Sequence, residues 1–229
     1  MAKPYGMLVE GYNYAGVAEA DFHDWYDNEH LPAVAGVKGV LSANRWMNAE
    51  ELSSMPGLGG NASNKVAVAI YDLESPEVVQ SADYRAIAHG NKSARGRDMH
   101  AKCQTVCYFE SEQTLPGSQV SPPESRGVML FAMNVLPEVD AEFNSWFDDE
   151  HIPNLSKVPG VLAARRFRMP FGGSHRYLIL YHLSKPEVQA TDEWKKGGAS
   201  PWTDKMKPHF LPKERNPLRL VLRHYARKS

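Results

Sequence analysis

The chain has 229 residues, of which 42% are apolar, and 26 basic against 27 acidic residues give it a net charge of −1 at pH 7. This length suits one large domain or two small ones, and the apolar share is enough for a buried core. The balanced charge argues against nucleic acid or an anionic membrane as a partner. The opening segment MAKPYGML lacks the apolar stretch of a signal peptide, and no run approaches the about 18 apolar residues of a membrane span. The sequence therefore predicts a soluble, cytoplasmic protein.

Hydrophobic patterning predicts the order strand, helix, strand, strand, helix, strand in each half of the chain. Pro32 and Pro153 are expected to end the first helix of each half, whereas the second helices begin after Ser75-Pro76 and Lys185-Pro186, where proline suits the first turn. The predicted strands of the first half span residues 6–14, 39–46, 65–73 and 104–110, with the first helix at 18–31. Those of the second half span 127–135, 160–167, 176–183 and 218–225, with the first helix at 139–152.

The first helices carry nearly the same sequence, Phe22–Pro32 (FHDWYDNEHLP) and Phe143–Pro153 (FNSWFDDEHIP), and each is followed by a V-x-G-V-L strand start. This repetition indicates two tandem copies, residues 1–111 and 126–229, joined by a Pro- and Ser-rich linker over residues 112–125. The first copy has an additional loop, Ser53–Ser63. The second has an insertion, Gly197–Asn216, whose Trp202 suggests a rim segment over a cavity or a subunit contact.

The helix motif W-[YF]-D-x-E-H-[LI]-P and the strand start that follows it resemble the EthD-like branch of the dimeric α+β barrel superfamily, here as a tandem single chain. The element order predicts the α+β class, with two ferredoxin-like βαββαβ units packed face to face as a pseudo-dimeric barrel. Such packing is expected to leave a cavity between the two sheets. The resemblance also implies activities such as cyclase, isomerase, dehydratase, lyase or cofactor-free monooxygenase.

The repeated helix supplies the first candidate catalytic groups. Asp27 and His30 are three residues apart, as are Asp148 and His151, and such pairs can meet on a helix surface. A carboxylate there would orient the imidazole for acid–base catalysis. The alternative is a structural network that caps the helix end in both copies.

The first strands differ between the copies. Small Gly11 and Ala132 are expected to lie under a helix, which would direct Glu10, Tyr12 and Tyr14 into the cavity. Their counterparts in the second copy are apolar. A carboxylate on an inner sheet face is costly unless it is paired or functional, so Glu10 is either catalytic or an ion-pair partner of Arg45.

Further candidates for substrate binding are Arg45 and Arg166, at equivalent positions of the second strands, and Tyr71 and Tyr181 on the third strands. The arginines would hold a carboxylate or phenolate, or only cover the barrel end. The tyrosines are expected to be core aromatics that present a hydroxyl.

No histidine spacing typical of a metal site occurs, and no nucleotide-binding motif is present, so neither a metal nor another cofactor is predicted. Cys103 and Cys107 on one strand would lie roughly 13 Å apart, too far for a disulfide.

Three functions remain. The first is a cofactor-independent lyase or isomerase that acts on a small apolar, aromatic compound through His/carboxylate acid–base catalysis, with loss of water or a small aldehyde. The second is a cofactor-free or haem-assisted monooxygenase. The third is a non-catalytic ligand-binding barrel. The expected partner is a small-molecule substrate, and a homo-oligomer is compatible with the sequence.

Overall fold

The computed structural model describes residues 3–49, 65–88, 92–210 and 218–226. The additional loop predicted at Ser53–Ser63 lies outside these residues, as does the end of the predicted insertion, residues 211–216. All the predicted strands and both predicted first helices fall within the described ranges.

The strands follow the predicted order, because alternating apolar residues form strands wherever one face meets a core. They are β1 (Gly6–Asn13), β2 (Val40–Asn48), β3 (Val66–Leu73), β4 (Gln104–Leu115), β5 (Gly127–Met133), β6 (Val161–Arg168), β7 (Tyr177–Leu183) and β8 (Leu218–His224). All eight close into one barrel in the order β1-β3-β2-β8-β5-β7-β6-β4, and every pairing is antiparallel. The predicted α+β class is confirmed.

The helices lie in corresponding places in the two halves. Helix α1 consists of Glu19–Trp25, a π-helical turn over Tyr26–His30 and Leu31–Ala35; α2 is Ala82–Arg85 and α3 is Ala94–Lys102. Helix α4 consists of Asp140–Trp146, a π-helical turn over Phe147–His151 and Ile152–Ser156; α5 is Asp192–Gly197 and α6 is Pro201–Met206. Short 3-10 turns cover Pro76–Gln80, Pro137–Val139, Pro186–Ala190 and Lys207–His209.

Two short junctions join the halves. Strand β2 pairs with β8 through Trp46↔His224 and its two neighbours. Strand β4 was predicted to end at Glu110. It continues instead to Leu115, through the first part of the predicted linker, and pairs there with β6. The linker composition concealed this extension, because Pro116 is the first residue that cannot continue the ladder.

The barrel interior is filled by apolar side chains from both halves, so the cavity predicted between the two sheets is not found among the described residues. The first half contributes Met7, Val9, Trp46, Val66, Val68, Ile70, Cys107 and Phe109, and the second half contributes Val128, Leu130, Ala132, Phe167, Leu178, Leu180, Leu218, Leu220 and Leu222. A barrel of eight strands is narrow enough for such side chains to fill its interior.

A buried ion pair spans the halves at one end of this interior. Arg165 Nη2 of β6 lies 2.7 Å from Asp72 Oδ1 of β3, and both side chains are fully buried. Ser42 donates to Asp72 Oδ2 at 2.5 Å, and the backbone N–H of Ser121 donates to the same oxygen at 2.8 Å. Burial raises the pKa of Asp72, but Arg165 and these donors outweigh it, so the net shift is downward.

Buried histidines make the fold sensitive to acid. Burial, and then the charge of Arg165, lowers the pKa of His182 from 6.5 to about 3, and burial followed by Lys207 lowers that of His151 to about 4. Below pH 6.5 the unfolded chain therefore binds more protons than the folded one, so stability falls as the pH falls from 6.5 towards 4.

We expect the free energy of unfolding to be lower at pH 5 than at pH 7 by about 2–4 kcal/mol, as measured by urea titration at both values. His182→Gln should reduce this pH dependence, whatever its effect on stability at pH 7. Equal stability of the wild type at the two pH values would contradict the expectation.

Candidate active site

Helix α1 contains a wider turn at the repeated motif, and this turn determines where its polar groups point. The backbone N–H of Leu31 donates to Tyr26 O, an i→i−5 bond, over the π-helical turn Tyr26–His30. Such single turns occur often at functional sites. Pro32 was predicted to end the helix, but the helix continues past it. Pro32 lies in the first turn of the final segment, where its missing N–H is tolerated.

The predicted Asp–His pairs do not form. Asp27 instead accepts a hydrogen bond from Arg45 and another from the Tyr225 hydroxyl at 3.2 Å. Asp148 lies 2.7 Å from Arg166 Nη1 rather than beside His151. The extra residue in the π turn rotates the aspartate and the histidine away from each other, so α-helical spacing gave the wrong partner.

Strand β1 is buried on both faces, and Glu10 lies on the outer one. Met7 and Val9 face the barrel interior, and a Cβ added at Gly11 would meet Cys107 Sγ at 2.6 Å on that side. Glu10 and Tyr12 therefore point towards the helices, and the predicted assignment of the two faces was reversed. The small residue at position 11 leaves room on the interior face for Cys107 of the neighbouring strand β4, and not for a helix.

Glu10 and His30 form a buried pair between β1 and α1. His30 Nε2 lies 2.8 Å from Glu10 Oε2, and their side chains are 12% and 5% exposed. Burial by itself raises the pKa of Glu10, but the charge and hydrogen bond of His30 outweigh it and hold the pKa below its usual value. The ring of His30 stacks on Trp25 at 4.9 Å between centroids, which fixes its plane. The alternative partner of Glu10, Arg45, is excluded by this geometry.

This pair opens into a cavity of about 300 Å³ between the outer face of the sheet and helices α1 to α3. The volume is at the small end of the range for ligand pockets. Its walls are formed by both apolar and titratable side chains. The lining residues are Glu10, Tyr12, His30, Val34, Tyr84, Ile87, Ala88, Lys92, His100, Thr105 and Tyr108.

Several of these residues were not predicted as site residues. Tyr108 of β4 is the cross-strand partner of Glu10, so a correct pairing of β1 with β4 would have identified it. Its hydroxyl donates to Glu110 Oε1 at 2.7 Å and lies 3.1 Å from the Tyr84 hydroxyl. No sequence pattern pointed to His100 as a site residue, because no spacing within the sequence relates α3 to β1.

The arginines of the second strands anchor the repeated helices. Arg45 lies between the rings of Tyr26 and Tyr225, at 4.3 and 4.2 Å from their centroids, while it binds Asp27. Arg166 binds Asp148 and Asn144 and lies over the ring of Phe147. Neither arginine lines the cavity beside Glu10.

The corresponding region of the second half is apolar. Phe131 stands in the place of Glu10, and Met133 in that of Tyr12. His151 stacks against Trp146 at 4.4 Å, and its Nδ1 is buried without a hydrogen-bond partner among the described residues. Burial lowers its pKa to about 4. His151 and His30 therefore occupy equivalent helix positions with different surroundings.

The remaining predicted contacts lie away from this cavity. Tyr14 stacks on Phe22 at 4.2 Å, and Tyr71 and Tyr181 are buried core residues. Trp202 belongs to α6, which is the counterpart of α3 rather than an added rim, and its Nε1 donates to Glu142 at 3.1 Å. Ser93 and Ser200 show the correspondence, because each caps its helix and also donates to the glutamate of the repeated motif, Glu29 or Glu150.

A larger groove of about 670 Å³ lies on the other side of α1, lined by Glu19, Ala20, His23, Asp24, Asp27, Asn28, Met47 and Tyr225. Its aspartates are already engaged, Asp24 with Arg95 at 2.7 Å and Asp27 with Arg45.

No group of three His, Cys, Asp or Glu side chains in the described ranges could hold a metal ion. Both cysteines are free thiols, as predicted. Among the residues with described structure, no helix is long and apolar enough to cross a membrane.

No family model matches the chain, and no curated protein is similar to it. Solved structures are similar over nearly its whole length. They include a protein from Fusobacterium nucleatum named as a candidate monooxygenase, with TM-score 0.60, 10% identity and coverage of 99% of this chain and 94% of that one. An anthrone oxidase-like protein has TM-score 0.57 and 11% identity, with 96% and 92% covered.

A haem-binding protein from Thermus thermophilus has TM-score 0.56 and 13% identity, with 98% and 92% of the two chains covered. At these identities the similarity concerns the fold and not the reaction. The chain therefore shares the ferredoxin-like α+β fold of these structures, with its eight strands closed into one barrel.

Proposed function

We propose that the chain is an enzyme in which Glu10 and His30 remove a proton from a small, largely apolar aromatic compound and return it at another atom. The observation that carries this proposal is the buried 2.8 Å contact between His30 Nε2 and Glu10 Oε2 at the wall of a cavity. A charged carboxylate inside a protein is costly, so a pair of this kind facing a cavity favours a functional role.

The pair has the properties that acid–base catalysis needs. Its carboxylate holds the imidazole in place, and together the two groups can accept one proton and release it again. Tyr12, Val34, Ile87 and Ala88 place apolar surface beside it. In such surroundings charge interactions with the ligand are stronger than in water.

Proton removal leads to a lyase or isomerase reaction without an external oxidant. From a β-hydroxy aryl ketone, the pair would take the proton next to the carbonyl, and the hydroxyl would leave as water with a returned proton. If it takes the hydroxyl proton instead, the carbon–carbon bond breaks, an aldehyde leaves, and the resulting enolate is protonated on carbon. Both routes need only a group that takes a proton and gives it back.

A cofactor-free oxygenase is the second candidate, supported by fold neighbours named as a candidate monooxygenase and as anthrone oxidase-like. It would begin with the same deprotonation, after which the substrate carbanion would react with molecular oxygen. The two candidates therefore share the role of Glu10 and His30 and differ in the fate of the carbanion.

Haem binding, which the name of one neighbour reports for that protein, does not suit this cavity. His30 is not suited to be an axial ligand, because its Nε2 is bound to Glu10 at 2.8 Å, which leaves His100 as the other imidazole in the cavity. The cavity volume of about 300 Å³ is also small for a macrocycle.

The proposal is tested with a panel of small aryl ketones, β-hydroxy aryl ketones and phenols in deuterated buffer. We expect NMR to show deuterium entering at least one ketone next to its carbonyl faster than in buffer alone, and water or an aldehyde leaving a hydroxylated member. Oxygen uptake during the reaction would favour the oxygenase. Thermal stabilisation by panel members without exchange, product or oxygen uptake would show a binding module and contradict the proposal.

A further inference from the structure

The cavity contains a second imidazole that the Glu10–His30 pair does not use. His100, in the last turn of α3, lies 5.7 Å from His30 between ring centroids and packs edge-on against Tyr12 at 5.0 Å. Its Nε2 is buried and has no hydrogen-bond partner among the described residues. Buried polar atoms almost always have a partner, so this nitrogen points to a polar atom of a ligand.

His100 differs from His30 in its electrostatic surroundings. Burial, followed by the positive charges of Lys92 and His30, lowers the pKa of His100 to about 4. At neutral pH the ring is uncharged, with a hydrogen on one nitrogen only. It therefore does not compete for the proton that the Glu10–His30 pair handles, and it is suited to donate a hydrogen bond to a ligand oxygen.

Lys92 adds a positive charge to the same part of the cavity. It lines the wall with His100, and its charge acts on both His100 and Glu10. Within the described part of the chain, no carboxylate forms an ion pair with its ammonium group. A hydrogen-bond donor and a cation next to a proton-accepting pair are the arrangement that stabilises an oxygen as it becomes negative.

The second half shows that the fold does not require these groups. Counting from the equivalent caps Ser93 and Ser200, His100 corresponds to Lys207, which is exposed and bound to Asp204 at 2.9 Å. His100 thus occurs in the half that has Glu10, whereas the half with Phe131 lacks it.

We propose that His100 and Lys92 bind the oxygen of the substrate that becomes negatively charged when the Glu10–His30 pair takes its proton. The substrate is then a phenol or an enolisable aryl carbonyl compound, small enough for a cavity of about 300 Å³. This assignment rests on the proposed function for the direction of proton transfer, but the anion site can be tested without turnover.

The probe is para-nitrophenol, whose anion is yellow. We expect the wild-type protein to bind it as the phenolate, with an apparent pKa for the bound phenol below its value in buffer. His100→Phe, which keeps the packing of the ring, and Lys92→Met should each weaken phenolate binding by about tenfold to hundredfold, as expected for hydrogen bonds to a charged group. His100→Gln should recover part of the loss, and Lys207→Met is the matched control that should bind as the wild type does.

Binding of the neutral phenol, equal affinity of the His100→Phe and wild-type proteins, or no binding at millimolar probe would each overturn the proposal. Circular dichroism of every variant checks that a loss of binding is not a loss of folding. Glu10→Gln separates the two proposals, since it should keep phenolate binding while it removes turnover. Phenolate binding that depends on His100, in a protein without exchange activity, would leave the anion site standing and the proposed function refuted.

Discussion

Replacement of Glu10 by Gln is expected to lower kcat by about 10²–10⁴-fold on any substrate that the wild type turns over. The amide keeps the size of the side chain and can still meet His30, but it cannot carry the negative charge of the carboxylate or accept a proton as the carboxylate does. Because only the charge is lost, we expect KM to change much less than kcat. Steady-state kinetics on the purified variant measure both.

The double variant Glu10→Gln, His30→Gln is the internal check on this prediction. Groups that act as one unit lose their effect together, so the double variant should be about as slow as the slower single variant. Tyr14→Phe is a suitable control, since Tyr14 stacks on Phe22 and does not line the cavity. Activity of Glu10→Gln within about threefold of the wild type would mean that this carboxylate is structural.

Asp72→Ala is expected to lower the free energy of unfolding by about 3–5 kcal/mol. The variant leaves the guanidinium of Arg165 buried in the barrel without its carboxylate, and Arg165 is fully buried in the wild type. Because Asp72 and Arg165 belong to different halves of the chain, losing their ion pair also weakens the packing of the two halves against each other. Urea unfolding monitored by tryptophan fluorescence measures the effect.

The double variant Asp72→Ala, Arg165→Met removes both charges and should be more stable than the sum of the two single effects implies. The exposed pair of Lys195 with Asp192, 68% and 78% exposed, provides the control. Lys195→Ala should cost no more than about 1 kcal/mol. Similar effects of Asp72→Ala and Lys195→Ala would contradict the importance assigned to the buried pair.

The order of elements could be predicted from sequence because each signal was local. The repeated motif, the alternating strands and the prolines after Ser75 and Lys185 all act within a few residues. The closure of the barrel was predictable in outline, since a sheet with helices on one face must cover the other. The continuation of β4 to Leu115 was not, because it depends on pairing with β6 in the other half.

The orientation of β1 shows why local patterns failed at the site. Alternation separates two faces of a strand, but here both faces are buried, one by the barrel interior and one by the helices. Burial alone therefore could not tell which face holds Glu10. The sequence did identify Glu10, Tyr12 and His30 as candidates, and it missed their arrangement because the π turn and the β1–β4 pairing arise only in the folded chain.

The contrast between the two halves gives the most direct test of the role of Glu10 and His30. His30 lies beside Glu10 in an open cavity, whereas the equivalent His151 stands among aromatic rings near Phe131. The measurement is the rate at which the His30→Gln and His151→Gln proteins incorporate deuterium into the aryl ketone that the wild type exchanges fastest. Both variants must first be shown to be folded to the same extent. We expect a loss of about 10²-fold or more for His30→Gln and a rate within a few-fold of the wild type for His151→Gln. Equal losses in both variants, or a larger loss for His151→Gln, would contradict this expectation.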